Sequence, residues 1–386
     1  MPVSGSENRP EWPARCRADV DLGALENNIR ALRAALPAGC RYVSVVKADA
    51  YGHGLPRVAE RLSGSGLVDL YAVASLEEAA EVRRFDTKKP VLMLGALFPG
   101  EEERHWELGL TPTLSSKDEI ERLERTAARL GKTLEVHLKV DTGMGRLGVW
   151  YRESAPLYQM LSASKHLVLR GIYTHLSSAD CDPEFTELQR RRFRETLSRF
   201  PGLERRDLLV HADNSAGFDS FAEACGFNAV RVGIAQYGVL PFAEATGRLR
   251  GLSLTPVCSL HSRVSLVKVL PAGTDISYGR TCRLERKTRV AVVAAGYGDG
   301  VPVARSNRGA VLIRGERCPL LGRVTMDEII VDTSGLPEVA VGDLATLFGR
   351  QGEAGISVRE YGEWCRTIPW EALCSLTQRV PRVYRQ

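Results

Sequence analysis

Eight short apolar runs, each followed or separated by stretches of helical periodicity, succeed one another from Tyr42 onward, and this alternation restricts the chain more than any single motif. The runs are VSVV at Val43, LYAVAS at Leu70, VLMLG at Val91, LTPTL at Leu110, LEVHLKV at Leu134, LVLRGIYTH at Leu167, LLVHA at Leu208 and AVRVGIAQYG at Ala229. Between them, LEEAAEVRRF, KDEIERLERTAARL and PEFTELQRRRFRETLSRF place apolar residues every three or four positions, and GALENNIRALRAAL precedes the first run. Strand followed by helix, eight times over roughly two hundred residues, predicts an α/β chain with a closed (β/α)8 TIM-like barrel and not an open doubly wound sheet.

Beyond the barrel the texture changes to alternating strands and Gly/Pro turns, as in PVCSLHSRVSLVKVL, TRVAVVAAGYGDG and GAVLIRGERCPLLGRVTMDEIIVDT, with one late helix at ISVREYGEWCRT. The expected division is a flexible leader over 1–14, a barrel domain over 15–250 and a mainly β C-terminal domain over 251–386. With 386 residues and 44% hydrophobic content the chain has material for a large core and a smaller one. Lys and Arg total 52 against 47 Asp and Glu, and the resulting +5 is spread without a basic block. That distribution predicts no nucleic-acid or membrane partner. The leader MPVSGSENRPEWPA lacks the apolar centre of a signal peptide, and no apolar run reaches bilayer length. Nine cysteines stand singly with no CxxC pair, against a disulfide framework, a zinc site or another metal, and in favour of a reducing cytoplasm.

Barrel enzymes assemble their sites from residues at the C-terminal ends of the strands. That rule picks out Lys47 after the first run, Arg146 after the fifth, His175 after the sixth, Asn214 and Ser215 after the seventh, and Arg231, Gly233 and Ile234 at the eighth. A lysine desolvated among such groups loses its preference for the ammonium form, so the free amine can attack a carbonyl. Taken singly, a lysine at such a position is more often a solvated or salt-bridged residue than a nucleophile. The loops after strands seven and eight, HADNSAG and RVGIAQYG, offer small residues, a hydroxyl and open N–H groups at the usual phosphate position of such barrels. A phosphate together with an imine-forming lysine points to pyridoxal phosphate. The GMGRLG segment, with Gly143, Gly145 and Gly148, also spells a dinucleotide fingerprint after a strand, but the acid required about twenty residues on is missing.

VVKADAYGHG, KVDTGMGRLG, YTHLSSAD, HADNSA, VRVGIAQYG, SYGRT, GYGDG and GRVTMD, in this order and spacing, resemble the alanine racemases, and the likeness runs from about Arg17 to Tyr384. The resemblance implies a pyridoxal phosphate enzyme interconverting L- and D-alanine for cell-wall peptidoglycan, a cytoplasmic homodimer whose C-terminal domain completes the partner's active site. It implies that Lys47 carries the cofactor and is one catalytic base, with Tyr278 the other. Tyr51, Ser215, Gly233 and Ile234 match phosphate-binding positions, with Asn214 beside them. His175 and Arg231 match residues beneath the cofactor, Arg231 facing its pyridine nitrogen. Arg146 matches a contact to the cofactor's phenolic oxygen and the substrate carboxylate, and Met326 a residue whose backbone N–H receives that carboxylate. Lys139 matches a lysine carried as a carbamate that steadies the arginine; its plainer reading is a barrel lysine paired with Asp141. Tyr297 lines the implied entrance, with Asp180, Arg323 and Ile368 further out. Apart from the resemblance, Tyr278 reads as a turn aromatic and Arg231 as a barrel-end ion pair.

The chain departs from the family pattern in three places. Thr325 stands for a cysteine, Val303 for an arginine, and Trp370, in TIPWEALC, for a tyrosine that touches the phosphate and narrows the entrance. An indole donates one hydrogen bond but is larger than a phenol, which leaves open a racemase for serine or larger amino acids. Decarboxylases on this scaffold set an acid against the pyridine nitrogen, so Arg231 argues against them. A non-catalytic pyridoxal phosphate carrier is a lone barrel, whereas this chain continues into the segment bearing Tyr278.

Overall fold

All eight apolar runs are strands in the computed structural model, which describes residues 14–203, 207–221 and 226–386. They are Arg41–Val45, Leu70–Val73, Val91–Met93, the pair Leu110–Thr111 and Thr113–Leu114, Leu134–Asp141, Leu167–Tyr173, Leu209–His211 and Ala229–Val232. Parallel ladders join the first three and Leu110–Thr111, with Ala229–Val232 alongside the first strand, while Thr113–Leu114 continues the order through the next three. Pro112 splits the fourth strand because it has no N–H, yet its carbonyl still accepts from His137 N–H at 3.0 Å. Bonds from Asn228 N–H to Val210 O and from Arg231 N–H to Asp213 O, both 3.0 Å, close the circle between the last two strands. The interior is packed by Val43, Val45, Leu70, Ala72, Leu92 and Ala229.

Helices fill the expected intervals, among them Leu76–Arg83, Lys117–Leu130 and Pro183–Leu197. Ser116 and Glu119 form a capping box and Gly131 ends the helix in a left-handed conformation, so this element carries both its start and stop signals in sequence. The seventh interval differs: its described residues, 212–221 and 226–228, form turns and irregular chain and no α-helix.

The described residues divide into two compact units, one within 24–255 and the other formed by 14–23 with 256–386. The expected boundaries at 15 and 250 therefore shift. The strand Cys16–Asp21 pairs antiparallel with Cys258–Leu270 and parallel with Arg382–Arg385, so the β unit is assembled from both ends of the chain. The leader placed at 1–14 lies, apart from Ala14, outside the described residues. In the β unit six strands pair in a ring: Cys258–Leu270, Leu344–Gln351, Ala310–Ile313, Glu316–Leu321, Ile329–Asp332 and Thr288–Val293. Cys258–Leu270 can serve so many neighbours because it is 13 residues long and changes partner around a register shift between Val264 and Leu266. A small hairpin, Asp275–Ile276 with Cys282–Arg283, projects Tyr278 at its tip.

Candidate active site

The barrel mouth begins with a backbone irregularity. After Lys47, four consecutive non-glycine residues, Ala48, Asp49, Ala50 and Tyr51, adopt left-handed φ values between 53° and 56°. Each such residue costs about 1–2 kcal/mol, so the turn persists only because its surroundings hold it. Ala50 N–H bonds Val46 O at 2.9 Å, Gly54 N–H bonds Asp49 O at 3.0 Å, and the Asp49 carboxylate accepts Leu55 N–H at 2.7 Å. The His53 ring stacks on Tyr237 at 4.3 Å, and its Nδ1 lies 2.8 Å from Ala50 O.

This turn brings Tyr51 against the end of the last strand. A Cβ placed on Gly233 would lie 2.3 Å from the Tyr51 hydroxyl oxygen, so any other residue there must push that hydroxyl aside. Ser215 Oγ accepts Gly233 N–H at 2.9 Å and Ala235 N–H at 3.3 Å, and Ile234 opens the short helix that follows. Tyr51, Ser215, Gly233 and Ile234 thus gather as hydroxyls and backbone amides, a donor set suited to a phosphate. Asn214 shapes the loop: its Oδ1 accepts Ala216 and Gly217 N–H at 3.1 and 2.9 Å, and its amide reaches Leu176 O at 3.2 Å.

Arg231 lies buried on the last strand and donates to four acceptors: His211 Nδ1 at 2.7 Å, Thr174 O and Ala212 O at 2.9 Å, and His175 Nδ1 at 3.1 Å. Burial lowers its pKa to about 10, which leaves it a cation at neutral pH. Since a guanidinium only donates, both Nδ1 atoms must accept, and the protons of the two imidazoles sit on Nε2. His211 Nε2 in turn meets His137 Nδ1 at 3.2 Å. Burial, and then the charge of Arg231, hold His175 and His211 well below the usual histidine range and bring His137 to about 3. The guanidinium also lies 4.9 Å from the Tyr173 ring centre. His137, His211 and Tyr173 were not singled out from sequence; the available signal was two histidines inside apolar strands, in VHL and VHA.

Lys139 is buried on the fifth strand with its amine 5.3 Å from the Tyr173 ring centre. Desolvation first, then Arg231, Arg146 and Lys47, lower its pKa to about 7 against the opposing pull of Asp141. The alternative pairing with Asp141 is not made among the described residues. That carboxylate instead accepts the N–H groups of Gly143, Met144 and Gly145 at 2.9 to 3.2 Å. Gly143 and Gly145 of GMGRLG therefore wrap a side chain of their own strand, and the short strand Val149–Trp150 follows the motif directly where a dinucleotide site requires a helix to open. Lys47 belongs to the same field, since its charge acts on Lys139 and on His175. Arg146 is exposed on this loop and Asp180 on the loop after the sixth strand.

The remaining candidates lie in the β unit. Tyr278 is 70% exposed, Met326 51% and Tyr297 44%, unusual values for large side chains on adjoining loops. Those loops are tied by Tyr297 N–H to Thr325 O and Gly298 N–H to Met326 O, both 2.9 Å, and by Ser277 Oγ to Arg323 O at 2.7 Å. Behind them the buried Asp299 carboxylate accepts Arg15 at 2.6 and 2.8 Å. Thr325 closes its turn on Glu328 through its hydroxyl, at 2.8 Å. Ile368 is exposed at the start of Pro369–Cys374, which carries the half-buried Trp370. Val303 is exposed, and Arg305, two residues on, is no substitute for the missing arginine, being buried with its guanidinium 4.7 Å from the Tyr361 ring centre.

A phosphorylated aldehyde fits the barrel set: an anion cradle that a Cβ at Gly233 would fill, a lysine at a neighbouring strand end, and a buried guanidinium with no carboxylate bonded to it among the described residues. Comparison with known proteins agrees. The family model described as alanine racemase, N-terminal domain, matches residues 20–241, and the one for the C-terminal domain matches 257–384. The alanine racemase of Symbiobacterium thermophilum is 41% identical over 97% of both chains. That of Halothermothrix orenii is 37% identical over 98% of this chain and 97% of its own. Among solved structures, the alanine racemase of Streptomyces lavendulae superposes with a TM-score of 0.89 at 31% identity, covering 97% of this chain and 98% of that one. The Bartonella henselae alanine racemase, solved with covalently bound pyridoxal phosphate, gives 0.87 at 28% identity, covering 97% and 100%. The chain belongs to the alanine racemase family.

Proposed function

We propose that Lys47 and Tyr278 are the two bases of a pyridoxal phosphate-dependent alanine racemase. Membership in the family carries the interconversion of L- and D-alanine and the need for this cofactor. When bound, the cofactor supplies an electron sink that acidifies the Cα proton of the amino acid. Tyr51, Ser215, Gly233 and Ile234 would hold its phosphate, beside the loop built by Asn214, and Lys47 its aldehyde carbon, with Trp370 placed at the phosphate by the family pattern.

Inversion at Cα needs a proton taken from one face and another delivered to the opposite face, hence two separate bases. Lys47 serves one face and the Tyr278 phenol the other. His175 presents an Nε2–H donor backed by the Arg231 cation, which stabilises a phenolate without itself becoming charged. Arg231 offers the cofactor ring nitrogen a hydrogen bond but holds its proton, which limits leakage into transamination. Arg146, steadied by a carbamate on Lys139, and the Met326 N–H receive the substrate carboxylate. Tyr297, Asp180, Arg323 and Ile368 frame the entrance.

The functional unit in this reading is a homodimer, supported by the exposure of Tyr278, Tyr297 and Met326 on one set of loops. Residence in the cytoplasm, with the product D-alanine feeding peptidoglycan, accords with the free thiols of the described cysteines. The observation carrying the reading is the buried Arg231, held by carbonyls and by His175 and His211 instead of by an acid. The test is chiral chromatography of products from L- and D-alanine. Lys47→Ala should abolish turnover and cofactor attachment, and Tyr278→Phe should cripple proton exchange on one face alone. Undiminished racemisation by Tyr278→Phe would overturn the assignment. A panel including L-serine reads the effect of Trp370 on substrate size.

A further inference from the structure

The left-handed turn after Lys47 leaves two backbone amides without their natural partners. The parallel ladder between the first two barrel strands runs as far as Val46 N–H to Ala72 O, 3.0 Å. In a continuing parallel ladder Ala74 N–H would take Val46 O and Ala48 N–H would take Ala74 O. Val46 O is instead used by Ala50 N–H at 2.9 Å, because the chain has turned away. Ala48 and Ala74 are exposed at the barrel mouth, where water alone would leave the parted strand ends untied. Both amides find the same acceptor group: Glu78 Oε1 accepts Ala48 N–H at 2.6 Å and Glu78 Oε2 accepts Ala74 N–H at 2.7 Å.

Glu78 is itself fixed. It is the third residue of the helix Leu76–Arg83, where its N–H bonds the Ser75 cap hydroxyl at 3.3 Å. In a capping box its carboxylate would return to the Ser75 amide. Here it reaches one residue earlier and across to the neighbouring strand, spanning the point where the two strands part.

We infer that Glu78 is a positioning residue for Lys47: its carboxylate replaces the missing rung between the first two barrel strands and fixes the peptide that leaves the lysine. The inference rests on the reading of Lys47 as the cofactor lysine. A carboxylate suits this bridge because its two oxygens accept from both N–H groups at once, whereas glutamine would turn an NH2 toward one of them.

The test compares wild type, Glu78→Gln and the control Glu77→Gln, whose side chain lies one residue away. Each protein is mixed with pyridoxal phosphate, quenched with borohydride at timed intervals, and digested, and the fraction labelled at Lys47 is read by mass spectrometry. Thermal midpoint, kcat and KM for alanine are measured alongside. Glu78→Gln is expected to slow labelling and lower kcat by on the order of ten- to a hundredfold, the loss of one charge-assisted bond at the reacting group. KM should move far less, and Glu77→Gln should match wild type. A Glu78→Gln protein that melts earlier but labels and turns over at the wild-type rate overturns the inference. If Glu78→Gln does not fold, Ser75→Ala, which loosens the helix start while keeping the carboxylate, must show the same labelling defect in milder form, and wild-type labelling there overturns the inference equally. Absence of label at Lys47 in wild type would defeat the parent reading, a result distinct from equal labelling of wild type and variant.

Discussion

Lys139 shows how far a single residue's chemistry is set by its surroundings. Its amine, near pKa 7, is largely unprotonated above neutrality, the state in which it can add carbon dioxide. The product would carry a negative charge where Arg146, Arg231 and Lys47 supply positive ones. Formation needs the free amine, so the carbamate should grow as pH rises through about 7. In 13C-bicarbonate buffer, one carbamate carbon signal is expected at pH 8, weaker at pH 6 and absent from Lys139→Ala, which should also lose roughly tenfold or more in kcat/KM as Arg146 loosens. A native protein without that signal at pH 8 would leave Lys139 an amine. The sequence revealed such residues where chemistry and position coincide: a lysine or arginine at a strand end is conspicuous. Adjacency offered Asp141 as a partner for Lys139 beside the carbamate reading, and in the structure that carboxylate serves three loop amides. His137 and His211 were invisible because their significance is a chain of hydrogen bonds to Arg231 across three strands.

At the scale of elements, the barrel strands and their helices were legible because periodicity and capping are local properties, as the helix Lys117–Leu130 illustrates. What escaped was non-local or contrary to propensity. The strand Cys16–Asp21 joins the β unit through partners more than two hundred residues away, and no propensity would place Ala48, Ala50 and Tyr51 in a left-handed turn. That turn and the end of the last strand meet at Gly233, where the contact with Tyr51 leaves no space for a methyl group. Gly233→Ala should therefore displace the Tyr51 hydroxyl and weaken cofactor binding by about tenfold, or ~1.4 kcal/mol. Equilibrium dialysis against pyridoxal phosphate measures it. Unchanged affinity in a folded variant would remove Gly233 and Tyr51 from the cradle.

Across the whole molecule, the same burial that shapes the site links stability to pH. His137, His175 and His211 remain neutral in the folded protein, His137 down to about pH 3, while in the unfolded chain each returns to a pKa near 6.5. Between those values the unfolded chain binds more protons, so stability falls as pH is lowered below about 6.5, by up to ~1.4 kcal/mol per pH unit for each histidine. Lys139, as an unmodified amine, acts in the same sense at higher pH: with a folded pKa of about 7 against 10.5, its penalty relaxes as pH rises across that window. The fold that keeps Arg231 charged and its imidazoles neutral is thus favoured on the alkaline side. Denaturant midpoints at fixed cofactor concentration should drop steadily from pH 6.5 to 4.5. His137→Gln, which removes one proton-binding group from the unfolded chain without adding a charge to the barrel, should make that decline shallower by about one proton. A pH-independent midpoint, or an unaltered slope in a folded His137→Gln protein, would mean that the imidazoles behind Arg231 are protonated in the native barrel and that the relay to His175 is not the neutral one drawn from their hydrogen bonds.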